Sequence, residues 1–210
     1  MLKSGLFYPA YFPAISQYVA MTQVDELWLE VDDNFQKQTL RNRLYIYSPN
    51  GKQLLIVPIQ HSKIAHQKTR DIKIDNSENW QKQHWKSLEA AYRSSPYFEF
   101  FEDDLIPIYS KRQIFLKDLN DQAMAFVKDA LGWPYDENKT QEFFKNAKQD
   151  IDFRHLVTKL DKSQLQPYYQ TFQEKNGFIN NLSILDLIFN EGKQALKYLK
   201  SQEKISSFLQ

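Results

Sequence analysis

The sequence predicts an α/β fold: a mixed β-sheet with an N-terminal strand–loop–helix and a β-hairpin, flanked by helices, with a C-terminal helical segment. Three observations lead there. Short runs of β-forming residues separated by turn signals occupy the first 60 positions, the apolar period becomes helical from Glu78, and a capping pattern at Ser183 opens a last apolar run.

Leu6 to Tyr8 reads as a first strand, and the two prolines of "PAYFPAIS" then require a loop before a helix near Gln17 to Thr22. "VDELWLEV" alternates apolar with acidic residues from Val24 to Val31, the pattern of a second strand, and stops at Asp32-Asp33. Two strands at Leu44 to Ser48 and Gln53 to Gln60 enclose Asn50-Gly51, which supplies the positive φ of a tight hairpin turn. Both faces of this hairpin are apolar, as in a sheet covered on two sides. "SKIAHQKTR" reads as a polar loop and Asp71 to Ile74 as a short strand. Beyond Ser77, a candidate N-cap, Trp80, His84, Trp85, Leu88, Ala91 and Tyr92 fall on one helical stripe. Pro96 ends that helix, and an aromatic, acidic stretch follows. Phe115 to Leu131 carries another helical pattern closed by Gly132. Pro134 to Asp152 is polar and weakly periodic, the composition of a flexible insertion. Near the C-terminus Ser183 and Asp186 stand at capping-box spacing, which makes Asp186 a cap before it is a catalyst.

A chain of 210 residues that is 42% hydrophobic buries a sizeable core. Its 27 Lys and Arg against 26 Asp and Glu give a net charge of +1, so no long-range field points to nucleic acid or an anionic membrane, and any anion site must be local. There is no cysteine, which removes thiolate nucleophiles, disulfides and Cys-based metal sites. No run has signal-peptide or membrane-span length, so the expectation is a soluble, cytoplasmic protein with no membrane span. Aromatics at 15% suit a core of large rings before they suit stacking on sugars or bases. Composition specifies neither a cofactor nor an oligomeric state.

No phosphate-binding glycine loop, nucleophile elbow or histidine pair at metal spacing occurs, and the expectation is no metal site. Attention falls on "QTLRNRLYIYSPNGKQLLIVPI". If Arg41 already lies in the strand, it shares a face with Arg43, and two like charges so placed need an anion or carboxylates between them. Asp32 and Asp33 end a strand where open α/β sheets gather ligand groups, and they read equally as turn chemistry. They could instead neutralise the arginines in a structural ion-pair network. His84 lies on an inward helical stripe, either as a satisfied buried imidazole or as a general acid/base. His61 and His66 lie in the polar loop and are expected to be exposed.

The segments "YPAYFP", "DDNFQKQTLRNR", "NGKQLLIVPI", "WQKQHW" with "AYRSSPYF", and "LSILDLIFN" occur in an order that resembles the WbqC-like family of bacterial proteins, over most of the chain and least from Pro134 to Asp152. Family members commonly carry Gln-Pro in place of Tyr8-Pro9, and Trp, Gly, Tyr and Phe in place of Ala14, Ser16, Gln17 and Tyr18. The resemblance implies one domain over residues 1–210 and a setting in surface-polysaccharide, O-antigen-type biosynthesis, with an acyl or aminoacyl (glycyl) transfer to an activated sugar. In that reading Arg41 and Arg43 hold a nucleotide-sugar or acyl phosphate. Asn42 and Tyr11 contribute to the same binding surface with Asp32. His84 moves a proton and Asp33 orients a hydroxyl or amine. The alternative is a non-catalytic binding module for a glycan precursor or a partner enzyme.

Overall fold

The computed structural model describes residues 3–60, 66–158 and 164–203. β1 (Ser4–Phe7), α1 (Ile15–Met21) and β2 (Glu26–Leu29) make the expected strand–loop–helix–strand opening. All seven residues of α1 are buried, and its first amide, of Ile15, is capped by the Leu182 carbonyl at 2.9 Å rather than by a side chain. Leu40–Asn42 form one turn of 3-10 helix, so the hairpin starts only at Arg43: β3 (Arg43–Ser48) pairs antiparallel with β4 (Gly51–Ile56), and Gly51 takes the positive φ of the turn at +97°.

Helices α2 (Trp80–Tyr92), α3 (Phe98–Ser110) and α4 (Leu116–Leu131) follow. The α2 stripe buries Trp80, His84, Leu88, Ala91 and Tyr92, while the cap is Asn79, whose Oδ1 accepts from the Lys82 amide, in place of Ser77. Ser77 lies two residues before that cap, in a turn where its amide donates to Asp75 Oδ1. Gly132 ends α4 in the left-handed region at φ +58°. The segment from Asp71 to Ile74 is no strand. Ile72 and Ile74 point inward, but pairing reaches only single bridges, Ile59 with Ile74 and Lys73 with Phe115.

Pro134 to Asp152, polar as it is, supplies β5 (Glu137–Lys139) and β6 (Ile151–Asp152), with irregular chain between them. The four parallel strands run in the order β5-β2-β1-β6, and the hairpin forms a separate two-stranded sheet. The C-terminal part holds α5 (Gln173–Asn176), α6 (Ile184–Glu191) and α7 (Ala195–Ser201). One apolar core joins these parts: Phe7 stacks on Phe153 at 4.9 Å beneath the parallel sheet, and Phe189 of α6 meets Tyr92 of α2 and Phe98 of α3 at 5.0 and 5.1 Å. His66 is exposed, as expected, while His61 lies outside the described residues.

Asp186 is a hub instead of a cap. Ser183 Oγ caps α6 by accepting from the Leu185 amide. The Ser183 amide, which a capping box would give to Asp186, donates to the Tyr45 carbonyl. The freed Asp186 carboxyl is fully buried and accepts from the hydroxyls of Tyr92 and Tyr168 and from Gln170 Nε2, tying α6 to α2 and to the chain before α5. All three donors are neutral. Burial raises the carboxyl to about 6 against these bonds. A raised value means that the native state keeps a proton the unfolded chain releases near pH ~4, so this stabilisation is present below that pH and lost as pH rises towards 6. Asp186→Asn removes the dependence. Urea melts should show the variant gaining on the wild type by up to roughly 3 kcal/mol between pH 4 and pH 7; a pH-independent difference would contradict the burial of an uncompensated carboxyl.

Candidate functional site

The strand register fixes what stands at the carboxyl edge of the parallel sheet. Phe7 pairs with Leu29, Leu29 with Lys139, and Leu6 with Asp152. One step beyond these pairs lie Tyr8, Glu30, Thr140 and, level with Tyr8, Arg154. Backbone bonds continue the row: the Glu30 amide donates to Phe7 O, the Thr140 amide to Leu29 O and the Phe153 amide to Leu6 O. Four polar side chains are thus delivered to one edge by four strands, the place where open α/β sheets bind ligands.

Arg41 enters this row from the hairpin side. Its side chain is fully buried, its Nη1 is ion-paired with Asp33 Oδ2, and the same nitrogen donates to Thr69 Oγ1 at 3.0 Å and to the Asn34 carbonyl at 3.3 Å. The guanidinium lies 3.8 Å above the Tyr8 ring, and Arg154 stands 5.7 Å from that ring. Burial lifts the Asp33 carboxyl above its usual range even with Arg41 pulling it down. Burial raises the Tyr8 phenol too. Asp32, the neighbouring carboxylate, turns the other way, to Lys68 at 3.0 Å and Arg70 at 2.7 Å.

Arg154 donates to both Asp152 oxygens and to the Phe144 and Lys145 carbonyls. It lies 3.9 Å from Glu30 Oε2. Glu30 is wholly buried, and its Oε1 accepts from the Thr140 hydroxyl at 2.9 Å and the Asp32 amide at 3.0 Å.

A cleft of about 480 Å³ opens beside this row. Asn42 and Arg43 line it with Lys37, Gln67 and a floor that includes Val57 and Ile72. Arg43 has no carboxylate partner among the described residues, and its buried Nε is unbonded. Arg41, Asp33 and Tyr11 stand behind the wall. Arg41 and Arg43 therefore do not share a strand face: the 3-10 turn at Leu40–Asn42 sends Arg41 inward to Asp33 and leaves Arg43 at the cleft.

Tyr11 and His84 form a second polar string. Tyr11 OH lies 3.1 Å from His84 Nδ1 and 2.7 Å from Tyr109 OH, and His84 Nε2 lies 3.1 Å from the Ile56 carbonyl. That carbonyl can only accept, so the neutral ring carries its proton on Nε2 and Nδ1 accepts from Tyr11. Burial pushes the imidazole down to about 4, so it is neutral at pH 7. Both ring nitrogens are occupied by protein groups. The string touches the rest of the site through the backbone: the Tyr11 amide donates to the Arg41 carbonyl at 3.3 Å, and Ile56 lines the cleft.

Sequence reading missed Tyr8 as an arginine platform, and Glu30, Thr140 and Arg154 altogether. Glu30 looked like the solvent side of an alternating strand. Thr140 and Arg154 follow strands of three and two residues, too short to carry a period.

Among the described residues no group of three or more His, Asp or Glu side chains is set to hold a metal ion, and no helix is long and apolar enough to cross a membrane. Arg41→Met, close in volume, leaves Asp33 buried beside no cation. Chemical denaturation should register a loss of roughly 3–5 kcal/mol, the scale for breaking a buried pair by removing one partner. A loss below about 1 kcal/mol, the scale of an exposed pair, would mean that the pair is not buried in solution.

The WbqC-like protein family model matches residues 8–164, a span that starts at Tyr8 and includes every residue of the sheet edge and cleft described above. The uncharacterized protein Rv1507c of Mycobacterium tuberculosis is 29% identical over 231 aligned residues, covering 95% of this chain and 98% of that protein. No solved structure matches the chain. With a family match reaching from the first strand's end to beyond Arg154, the chain belongs to the WbqC-like protein family.

Proposed function

We propose that this protein is a transferase of surface-polysaccharide biosynthesis that moves an acyl or aminoacyl group to an activated sugar, using the carboxyl edge of its parallel sheet and the adjoining cleft. The observation that carries this reading is where the unpaired buried polar atoms lie. Among the described residues, six of the twelve buried side-chain atoms without a hydrogen-bond partner are Arg41 Nε and Nη2, Glu30 Oε2, Asp33 Oδ1, Asn42 Oδ1 and Arg43 Nε. A buried polar group left unmade costs about 1–3 kcal/mol, and two of these atoms, on Asn42 and Arg43, belong to residues that line the cleft, where a bound molecule can complete them. Arg43 and Asn42 face the cleft, whose volume suits a small-molecule ligand. There a phosphate or carboxylate of a nucleotide-sugar or acyl phosphate meets the unpaired Arg43 fork. Arg41 and Asp33 hold the wall of that cleft and so position Asn42 and Arg43, which follow Arg41 in the chain. His84 contributes as a neutral imidazole that Tyr11 and Tyr109 connect to the interior.

A second reading, a binding module for a glycan precursor or a partner enzyme, is favoured by one observation: both His84 nitrogens are held by protein groups, and the chain has no cysteine. Mass spectrometry separates the two. An acylated sugar formed from supplied acyl donor and nucleotide-sugar establishes transfer, whereas binding without turnover leaves the module.

The cleft is tested with UDP-glucose and GDP-mannose as probes. Arg43→Lys keeps the charge and loses the fork, so the melting temperature without ligand should be unchanged while nucleotide-sugar affinity falls by roughly 1–3 kcal/mol. Absence of any ligand-dependent shift in the wild type, or equal affinity in the variant, would contradict an anion site at Arg43.

A further inference from the structure

The outer face of the hairpin is apolar where a solvated face is ordinarily polar. Leu44 and Leu55, paired across β3 and β4, turn into the core, and their neighbours along each strand face the other way. An antiparallel pair packed on one side carries polar residues on the other. Here the outward positions of β4 are Lys52, Leu54 and Ile56, and Leu54 is 37% and Ile56 42% exposed. Tyr45 stands level with Leu54, and Arg43 level with Ile56. Lys52 Nζ lies 4.4 Å from the centre of the Tyr45 ring and closes the far end. This apolar strip lies on an edge strand of the two-stranded sheet, the kind of strand that proteins usually protect with charge. Ile56 and Arg43 belong both to the strip and to the cleft. The described lining of the cleft has two cations, Lys37 and Arg43, against one carboxylate, Asp75, whose Oδ1 accepts from the Ser77 amide at 2.9 Å. Among the described residues neither cation has a carboxylate partner. From Ile56 to Lys52 the strip measures roughly 14 Å, at about 3.4 Å per residue, and it starts at the open guanidinium.

We propose that this strip is a subsite for an acyl or alkyl chain joined to the anion that Arg43 holds. The ligand is then an amphiphile, with its phosphate or carboxylate head in the cleft and its apolar chain along Ile56, Leu54 and Tyr45. Charge and apolar surface follow one another on the protein in the order such a molecule needs. The chain leaves water and takes with it part of two exposed aliphatic side chains, which is the gain that holds it there. A hydroxyl-rich chain finds no hydrogen-bonding group on Leu54 or Ile56. A cationic chain is repelled by Arg43 at one end of the strip and Lys52 at the other. The proposal rests on the anion site at Arg43. It adds the chemical class of what is joined to the anion, and of the two ligands admitted above it assigns the acyl-bearing one to the hairpin face.

Ethyl phosphate and hexyl phosphate are matched probes with one head and different chains. Ligand-observed NMR titration of the full chain, at pH 7 and below the concentration at which hexyl phosphate aggregates, should show hexyl phosphate binding about tenfold or more tighter. That is the scale for four methylenes each partly removed from water. Leu54→Gln, a surface change outside the cleft lining, should cut the gain to about threefold or less and leave ethyl phosphate affinity unchanged. Equal binding of the two probes to the wild type overturns the chain subsite alone, whether or not the variant folds. Binding of neither refutes the underlying anion site as well. A gain that Leu54→Gln leaves intact puts the chain elsewhere and overturns the strip. Hexanol binding as tightly as hexyl phosphate overturns the link to Arg43. Dimerisation of the ligand-free chain that Leu54→Gln abolishes overturns the proposal in favour of a second copy on this face.

Discussion

The ion pair between Arg41 and Asp33 is the contact on which the arrangement of the two sheets depends. Asp33 sits just past the end of β2, and Arg41 sits in the turn that leads into β3, so the pair fastens the hairpin to the carboxyl edge of the parallel sheet. It also holds other pieces in place. Thr69 donates its amide to the Asp33 carbonyl and accepts from Arg41, which brings the 69–71 turn to the same point, and Asn120 of α4 donates to the Arg41 carbonyl at 3.1 Å. Tyr8 beneath the guanidinium connects it to β1. A buried pair of this kind adds little net stability compared with apolar side chains of similar volume, since desolvation offsets much of the attraction. Its presence is better explained by what it positions.

What it positions is a row of groups only partly paired. Among the described residues Arg41 donates through one nitrogen of three, Asp33 accepts at one oxygen, and Glu30 accepts at Oε1 while its Oε2 has only the Arg154 ion pair at 3.9 Å. Elsewhere in the molecule buried carboxyl groups are treated differently: Asp186 has both oxygens bonded, by two tyrosines and a glutamine, and serves packing alone. A fully bonded carboxyl among the C-terminal helices thus contrasts with the partly bonded ones at the sheet edge, the feature on which the proposed site rests. The edge lies where parallel strands from both sides of β1 end together, and the residues that flank the cleft follow directly from those that make the pair.

Much of the fold was legible in the sequence. Prolines and Asn50-Gly51 placed the first loop and the hairpin, and the stripe from Trp80 to Tyr92 placed α2 and buried His84, because each rests on local periodicity or turn chemistry. Asp33 and Arg41 were legible as partners through their charges. What stayed hidden depends on register and on tertiary context. Arg41 reads as a strand residue beside Arg43, yet a 3-10 turn, invisible to alternation, sends the two side chains apart. Asp186 has the spacing of a cap, but the Tyr45 carbonyl takes the amide that a cap would use. Arg154 and Thr140 become site residues only because strands of two and three residues, in the most polar part of the chain, complete the sheet. Glu30 alternates with apolar neighbours like any surface residue, and only the fold shows that its side of β2 is covered.

The central claim is that Asn42 and Arg43 face a cleft that receives an anionic molecule. An experimental electron-density map of the protein crystallised with UDP-glucose tests this most directly. The account predicts non-protein density in the cleft within hydrogen-bond distance of the Arg43 guanidinium. A map in which that guanidinium is bonded to other groups of the protein, with side chains filling the cleft, would contradict it.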